Sequence, residues 1–177
     1  MSHVIKEESK LSRFLFSNTR MAWFWLIVRV YVGWVWLEAG LGKWGNPAWI
    51  GDNTGVALNG FIKGALAKTV GEHPDVTSWY AYFLQNVVTP NVSLWSYMIT
   101  HGEILVGVGL ILGALTGLAA FFGFFMNLNF LFAGTVSSNP QLLILSLGII
   151  LARNIAGSIG VDRFLMSKLW ALWKKRY

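Results

Sequence analysis

Apolar residues fall along this chain in long runs, and polar ones gather at both ends and in one central stretch. A helix that crosses a bilayer needs about 20 mostly apolar residues, because the hydrocarbon core is roughly 30 Å thick and a helix rises about 1.5 Å per residue. Segments of that kind occur at about 21–43, 93–114, 118–136 and 141–160. Residues 104–133 contain no charge, and one helix over them would be about 45 Å long, half as long again as the core. Gly113, Thr116 and Gly117 supply a turn in the middle, which divides the stretch into a helical hairpin. Asn139-Pro140 marks the next turn, since the residue before proline avoids the helical region and proline suits a helix start. The expected fold is an all-α integral membrane protein, a bundle of four transmembrane helices.

The stretch between the first two segments has a different rhythm. Phe61, Ile62, Ala65, Leu66 and Val70 recur at helical spacing, with Lys63, Lys68 and Thr69 opposite. After Pro74, a second stripe runs through Trp79, Tyr80, Phe83, Leu84, Val87 and Val88. This predicts two amphipathic helices in the extracytoplasmic loop, lying on the outer leaflet or folded over the bundle mouth.

Orientation follows from the cations. Lys6, Lys10, Arg13 and Arg20 precede the first span, and Arg163, Lys168, Lys174, Lys175 and Arg176 follow the last. An even number of spans places both groups on one side, and basic flanks belong on the cytoplasmic side of a plasma (inner) membrane. The domain division expected is a cytoplasmic tail at 1–20, a membrane domain at 21–163 and a basic cytoplasmic tail at 164–177. Met1 and the polar residues after it do not resemble a secretory signal, so the first apolar run is expected to be retained.

Composition agrees with this picture. Hydrophobic residues make up 55% and charged ones 12%, below the quarter usual in soluble domains. The net charge of +6 sits in the tails, where it fits anionic lipid headgroups better than nucleic acid. Cysteine is absent, which excludes disulfides, thiol redox chemistry and cysteine-held zinc or iron–sulfur sites. Bis-histidine haem needs two histidines at depth, and only His101 qualifies. No haem, metal or iron–sulfur centre is therefore expected, whereas a lipid-soluble quinone is compatible with the composition. Of ten tryptophans, Trp23, Trp25, Trp44, Trp49, Trp79, Trp95, Trp170 and Trp173 fall near expected interfaces and suit an aromatic belt.

Ionisable groups in hydrocarbon are costly and usually face a bundle interior. Arg29, Glu103 and Arg153 lie at depth, with His101 about one turn further out and Glu38 and Lys43 in the outer third; Asn127, Asn129 and Asn154 add amides. On the first helix Arg29, Gly33, Trp36, Gly40 and Lys43 share one line, while Glu38 points the other way. Arg29, Glu103 and Arg153 are expected to pair across a polar cavity, either as a functional site or as a structural network that fixes helix register. Lys43 either joins them or snorkels to the surface. Glu38 either is protonated in lipid or faces a partner subunit. His101 is either a satisfied interior histidine or a proton relay. Small residues at Gly148, Ala152, Ala156 and Gly160, and at Gly109 and Gly113, allow close helix approach within the bundle, to partner subunits or to a second copy.

Taken in order, these motifs resemble the DoxX/DoxD family of small membrane proteins. The first helix resembles it through Arg29-x3-Gly33-Trp34-x-Trp36-x3-Gly40-x2-Lys43, followed by Pro47-Ala48-Trp49. The second does so through Gly102-Glu103-x-Leu105-Val106-Gly107-x-Gly109-Leu110-x-Leu112-Gly113, and the third through Ala119-Ala120, Asn127-Leu128-Asn129-Phe130-Leu131 and Gly134-Thr135-x-Ser137-x-Asn139-Pro140. The last carries Ala156-Gly157-x3-Val161-Asp162-Arg163. Family members often have Arg after the Thr of the cytoplasmic turn, where this chain has Gly117. The resemblance implies four helices and a role as a subunit of a quinone-linked oxidoreductase. For DoxD-like members that enzyme is thiosulfate:quinone oxidoreductase, which couples two thiosulfates to tetrathionate and passes electrons to quinone. Arg29, Lys43, Arg153, Asn127 and Trp36 would then bind thiosulfate, another anion or quinone, and Glu103 or His101 would handle protons. The alternatives are a non-catalytic assembly or scaffold subunit, and a small-molecule or lipid transporter. Four spans without an inverted repeat fit the transporter least.

Overall fold

A computed structural model describes residues 9–165 and, among them, contains helices and turns but no strand. The helices are α1 (Lys10–Ser17), α2 (Ala22–Trp44), α3 (Val56–Leu66), α4 (Ser78–Phe83), α5 (Val92–Leu112), α6 (Thr116–Phe132), α7 (Asn139–Leu151) and α8 (Arg153–Ala156). Lys6, Lys168, Lys174, Lys175, Arg176, Trp170 and Trp173 lie outside the described residues. Two continuous helices, Thr19–Trp44 and Ser78–Leu112, are long and apolar enough to cross a membrane; α6 and α7 are apolar but shorter.

Each of the apolar segments read from the sequence is helical over most of its length, and the boundaries follow local chemistry. The α5–α6 turn uses Gly113 at φ 66 and Leu115 at φ 50, a left-handed pair that glycine opens at little cost. Pro140 occupies the first turn of α7, where a missing N–H costs nothing.

In three places the expectation changes. The last segment, read as one helix over 141–160, stops at Leu151 and restarts as the single turn α8. The chain beyond α8 then lays its backbone on the end of α5, where Val161 N donates to Leu112 O at 3.2 Å and Asp162 N to Gly113 O at 2.8 Å. Those are helix-terminal carbonyls that otherwise lack partners, so the break satisfies the end of α5. The second outer-loop helix does not lie free on a leaflet. A wide turn at Leu84–Val88 and a tight one at Thr89–Asn91, with Pro90 in it, run α4 straight into α5. The third change is α1, which the polar count of the tail concealed. Ser9 caps it by accepting from Ser12 N, and it packs on Trp25, whose Nε1 donates to Leu15 O at 2.8 Å. Trp25 is thus buried rather than a belt residue, whereas Trp23, Trp34, Trp44 and Trp79 are exposed.

Two cores result. One lies among α2, α5, α6, α7 and α8 and includes Val32, Trp36, Val106, Leu110, Ala120, Ile149 and Ala156. The other lies under α3 and α4 and joins Leu58, Ile62, Val76, Tyr80, Leu84 and Val88 to Ala133. The second core roofs one end of the first, and Lys68 pins the roof by donating to Gly134 O at 2.6 Å.

Candidate functional site

The site is set by how closely α2 and α5 approach. A Cβ added to Gly107 would fall 2.6 Å from Leu37 N, and one added to Gly40 would fall 2.8 Å from Ile104 N. Side chains at these positions would hold the helices apart, so the glycines fix the antiparallel register. In that register Lys43 reaches across to Glu103. Its Nζ lies 2.7 Å from Oε2 and 2.9 Å from Oε1, and Glu103 is 1% exposed. The turn after α2 completes the pair. Asn46 Oδ1 accepts from Ala48 N, and the turn carries Trp49 over the Lys43 ammonium, 5.2 Å from ring centroid to Nζ.

Arg29 stands about 21 Å further along α2. It is 1% exposed, its Nη2 donates to Ile159 O at 2.8 Å, and its guanidinium packs directly on the Gly113 backbone. Asp162 is the carboxylate whose charge acts on it. That carboxylate also accepts from Leu115 N at 2.6 Å and Thr116 N at 2.8 Å, capping α6.

From the Arg29 end up to the roof the interior is unexpectedly polar. Trp36 Nε1, both amide atoms of Asn127 and the hydroxyls of Ser96, Thr100 and Ser146 are buried with no hydrogen-bond partner. Trp36 lies against α6, where a Cβ on Gly123 would be 3.0 Å from Nε1, and it stacks on Phe130. Each buried polar atom without a partner costs about 1–3 kcal/mol, so a hydrogen bond supplied to any of these groups would stabilise the bundle. Beside it, under the roof, lies a cavity of about 130 Å³ bounded by aromatic side chains that include Phe61, Tyr80, Phe83, Trp95 and Phe130. Ile99 and Met126 also line it, and they sit one turn from Glu103 and next to Asn127.

The sequence profile of a family described as "TQO small subunit DoxD" matches residues 24–176. The chain belongs to the DoxD family. No curated protein matches the chain, and no solved structure does.

In this DoxD chain the expected site residues separate into three groups. Lys43, Glu103, Trp36 and Asn127 share the interior, with Arg29 at its far end. The expected Arg29–Glu103–Arg153 pairing does not form, because the glycine register brings Lys43 rather than Arg29 to Glu103 and the break at Ala152 turns Arg153 outward. Arg153 is exposed, and its Nη1 makes only a 3.5 Å contact with Ile150 O. His101 is also exposed, with Nδ1 2.7 Å from Tyr97 O and its ring edge-on to Trp44. Glu38 points away from the bundle, as its helical phase implied. Asn129 serves the roof by accepting from Tyr80 Oη through its own backbone oxygen at 2.9 Å, and Asn154 is exposed. Among the described residues no cluster of histidine, aspartate or glutamate is arranged to hold a metal. Sequence reasoning missed the parts played by Trp49 and Asp162. The Asn46-Pro47-Ala48 turn signal pointed to the first, and an acid just after a glycine-rich turn pointed to the second.

Proposed function

We propose that the chain is a four-span small subunit of a thiosulfate:quinone oxidoreductase of the inner membrane, with both termini cytoplasmic, and that it binds the quinone. The spans are α2, α5, α6 and α7 with α8, within a membrane domain at 21–163. The family description and the basic flanks support this reading. The observation that carries it is the Lys43–Glu103 pair, one helical turn from an aromatic cavity of about 130 Å³. A dry cavity of that order accepts a single aromatic ring. The quinone ring occupies it as substrate, and its reduction takes up protons as well as electrons. The Lys43–Glu103 pair relays the protons: the Glu103 carboxylate takes up a proton from the Lys43 ammonium or from solvent and passes it towards the ring. Trp36, stacked on Phe130, and Asn127, next to Met126, stand behind the cavity wall. Electrons come from thiosulfate oxidation, shared with a partner subunit.

A photoreactive quinone analogue tests the placement. With the purified chain, labelling falls on peptides from α3, α4, the first half of α5 and the second half of α6, and excess unlabelled quinone removes it. Labelling that ignores competitor, or that avoids these segments, contradicts the proposal.

A further inference from the structure

At the opposite end of the bundle from Lys43–Glu103 lies a second recess, of about 470 Å³, lined by Thr116, Gly117, Leu118, Arg153, Ser158 and Arg163 among others. Its charge is unbalanced. Both guanidiniums are exposed, and among the described residues the one carboxylate lining the recess, that of Asp162, is already engaged by Leu115 N and Thr116 N. Arg153 lays its stem on Gly117, where an added Cβ would be 3.2 Å from Cδ. The amides of Gly117 and Leu118 belong to the first turn of α6, which leaves them without i−4 partners in a place that favours anions. Thr116 Oγ1 adds a buried hydroxyl with no partner. Cations, helix-start amides and a hydroxyl on residues that line one recess make up the donor set of a phosphate site.

The surface beside the recess decides which phosphate. Leu115, Leu118, Phe121, Phe122 and Phe125 are all about half exposed, and they run from the recess along α6. A free anion has no use for this apolar face, whereas the acyl chains of a lipid do. We propose that the recess holds the phosphate of an anionic phospholipid, with its acyl chains on the outward face of α6. The inference rests on the chain lying in a bilayer and is independent of quinone binding.

Native mass spectrometry of the purified chain, titrated with phosphatidylglycerol or phosphatidylcholine, tests it. Phosphatidylglycerol is retained at a concentration roughly tenfold or more below phosphatidylcholine, as two cations beside an anionic headgroup imply. The Arg153→Gln/Arg163→Gln variant loses that preference and Arg153→Lys keeps most of it. The single Arg163→Gln variant, at an exposed side chain, loses part of it and serves if the double variant does not fold. Equal retention of the two lipids, an unchanged preference in the Gln variants, or inorganic phosphate binding as tightly as phosphatidylglycerol would each overturn the proposal.

Discussion

Glu103 places both of its carboxylate oxygens on the single ammonium of Lys43, at 2.9 and 2.7 Å. Removing one partner leaves the other charge in an apolar bundle, which costs far more than removing both. Lys43→Met is therefore expected to destabilise the chain by about 3–5 kcal/mol, and Lys43→Met/Glu103→Met by much less. Thermal unfolding in detergent measures both. Equal losses in the single and double variants would show that the pair is not coupled.

The α2–α5 register predicts a sharp contrast between glycines. Gly107→Ala forces a methyl to within 2.6 Å of Leu37 N, backbone that cannot move aside cheaply, and should cost about 1–3 kcal/mol. Gly42 has nothing within 4 Å of its added Cβ, so Gly42→Ala stays within about 0.5 kcal/mol of wild type. Denaturation in a common detergent compares the two. Similar losses would mean that the glycines do not set the helix spacing.

Asp162 holds the start of α6 through the amides of Leu115 and Thr116, across a turn with a left-handed leucine. Asp162→Ala is expected to cost about 1–2 kcal/mol, the value of a helix cap, with Asp162→Asn recovering part of it. Amide hydrogen exchange at residues 115 and 116 should quicken in the Ala variant. Unchanged exchange there would remove Asp162 from the role of cap.

Much of this architecture was legible because helical phase is local. Arg29, Gly33, Trp36 and Gly40 fell on one line in the sequence and are all buried on one face, with Glu38 outside. The small residues at Gly148 and Gly160 likewise turn inward, against Trp25 and Arg29. What phase cannot give is the register between helices. Lys43 meets Glu103 only because Gly33, Gly40 and Gly107 let α2 and α5 close at one offset, and depth counted from span ends suggested Arg29 instead. Arg153 was misplaced for a related reason. Its predicted depth assumed an unbroken helix, and the break at Ala152 comes from carbonyls at the end of α5, distant in sequence. The roof cavity was hidden too, since it exists only where α3, α4, α5 and α6 meet.

Quinone reduction driven by thiosulfate, in membranes that carry the chain and its partner subunit, tests the central claim most directly when Glu103 is replaced. Glu103→Gln keeps the shape and a hydrogen bond to Lys43 but can neither take up a proton nor pass one on. The expected outcome is a complex that assembles normally and reduces quinone at least about a hundredfold more slowly, the scale of a lost proton-transfer group. An assembled complex that works at the wild-type rate would contradict it.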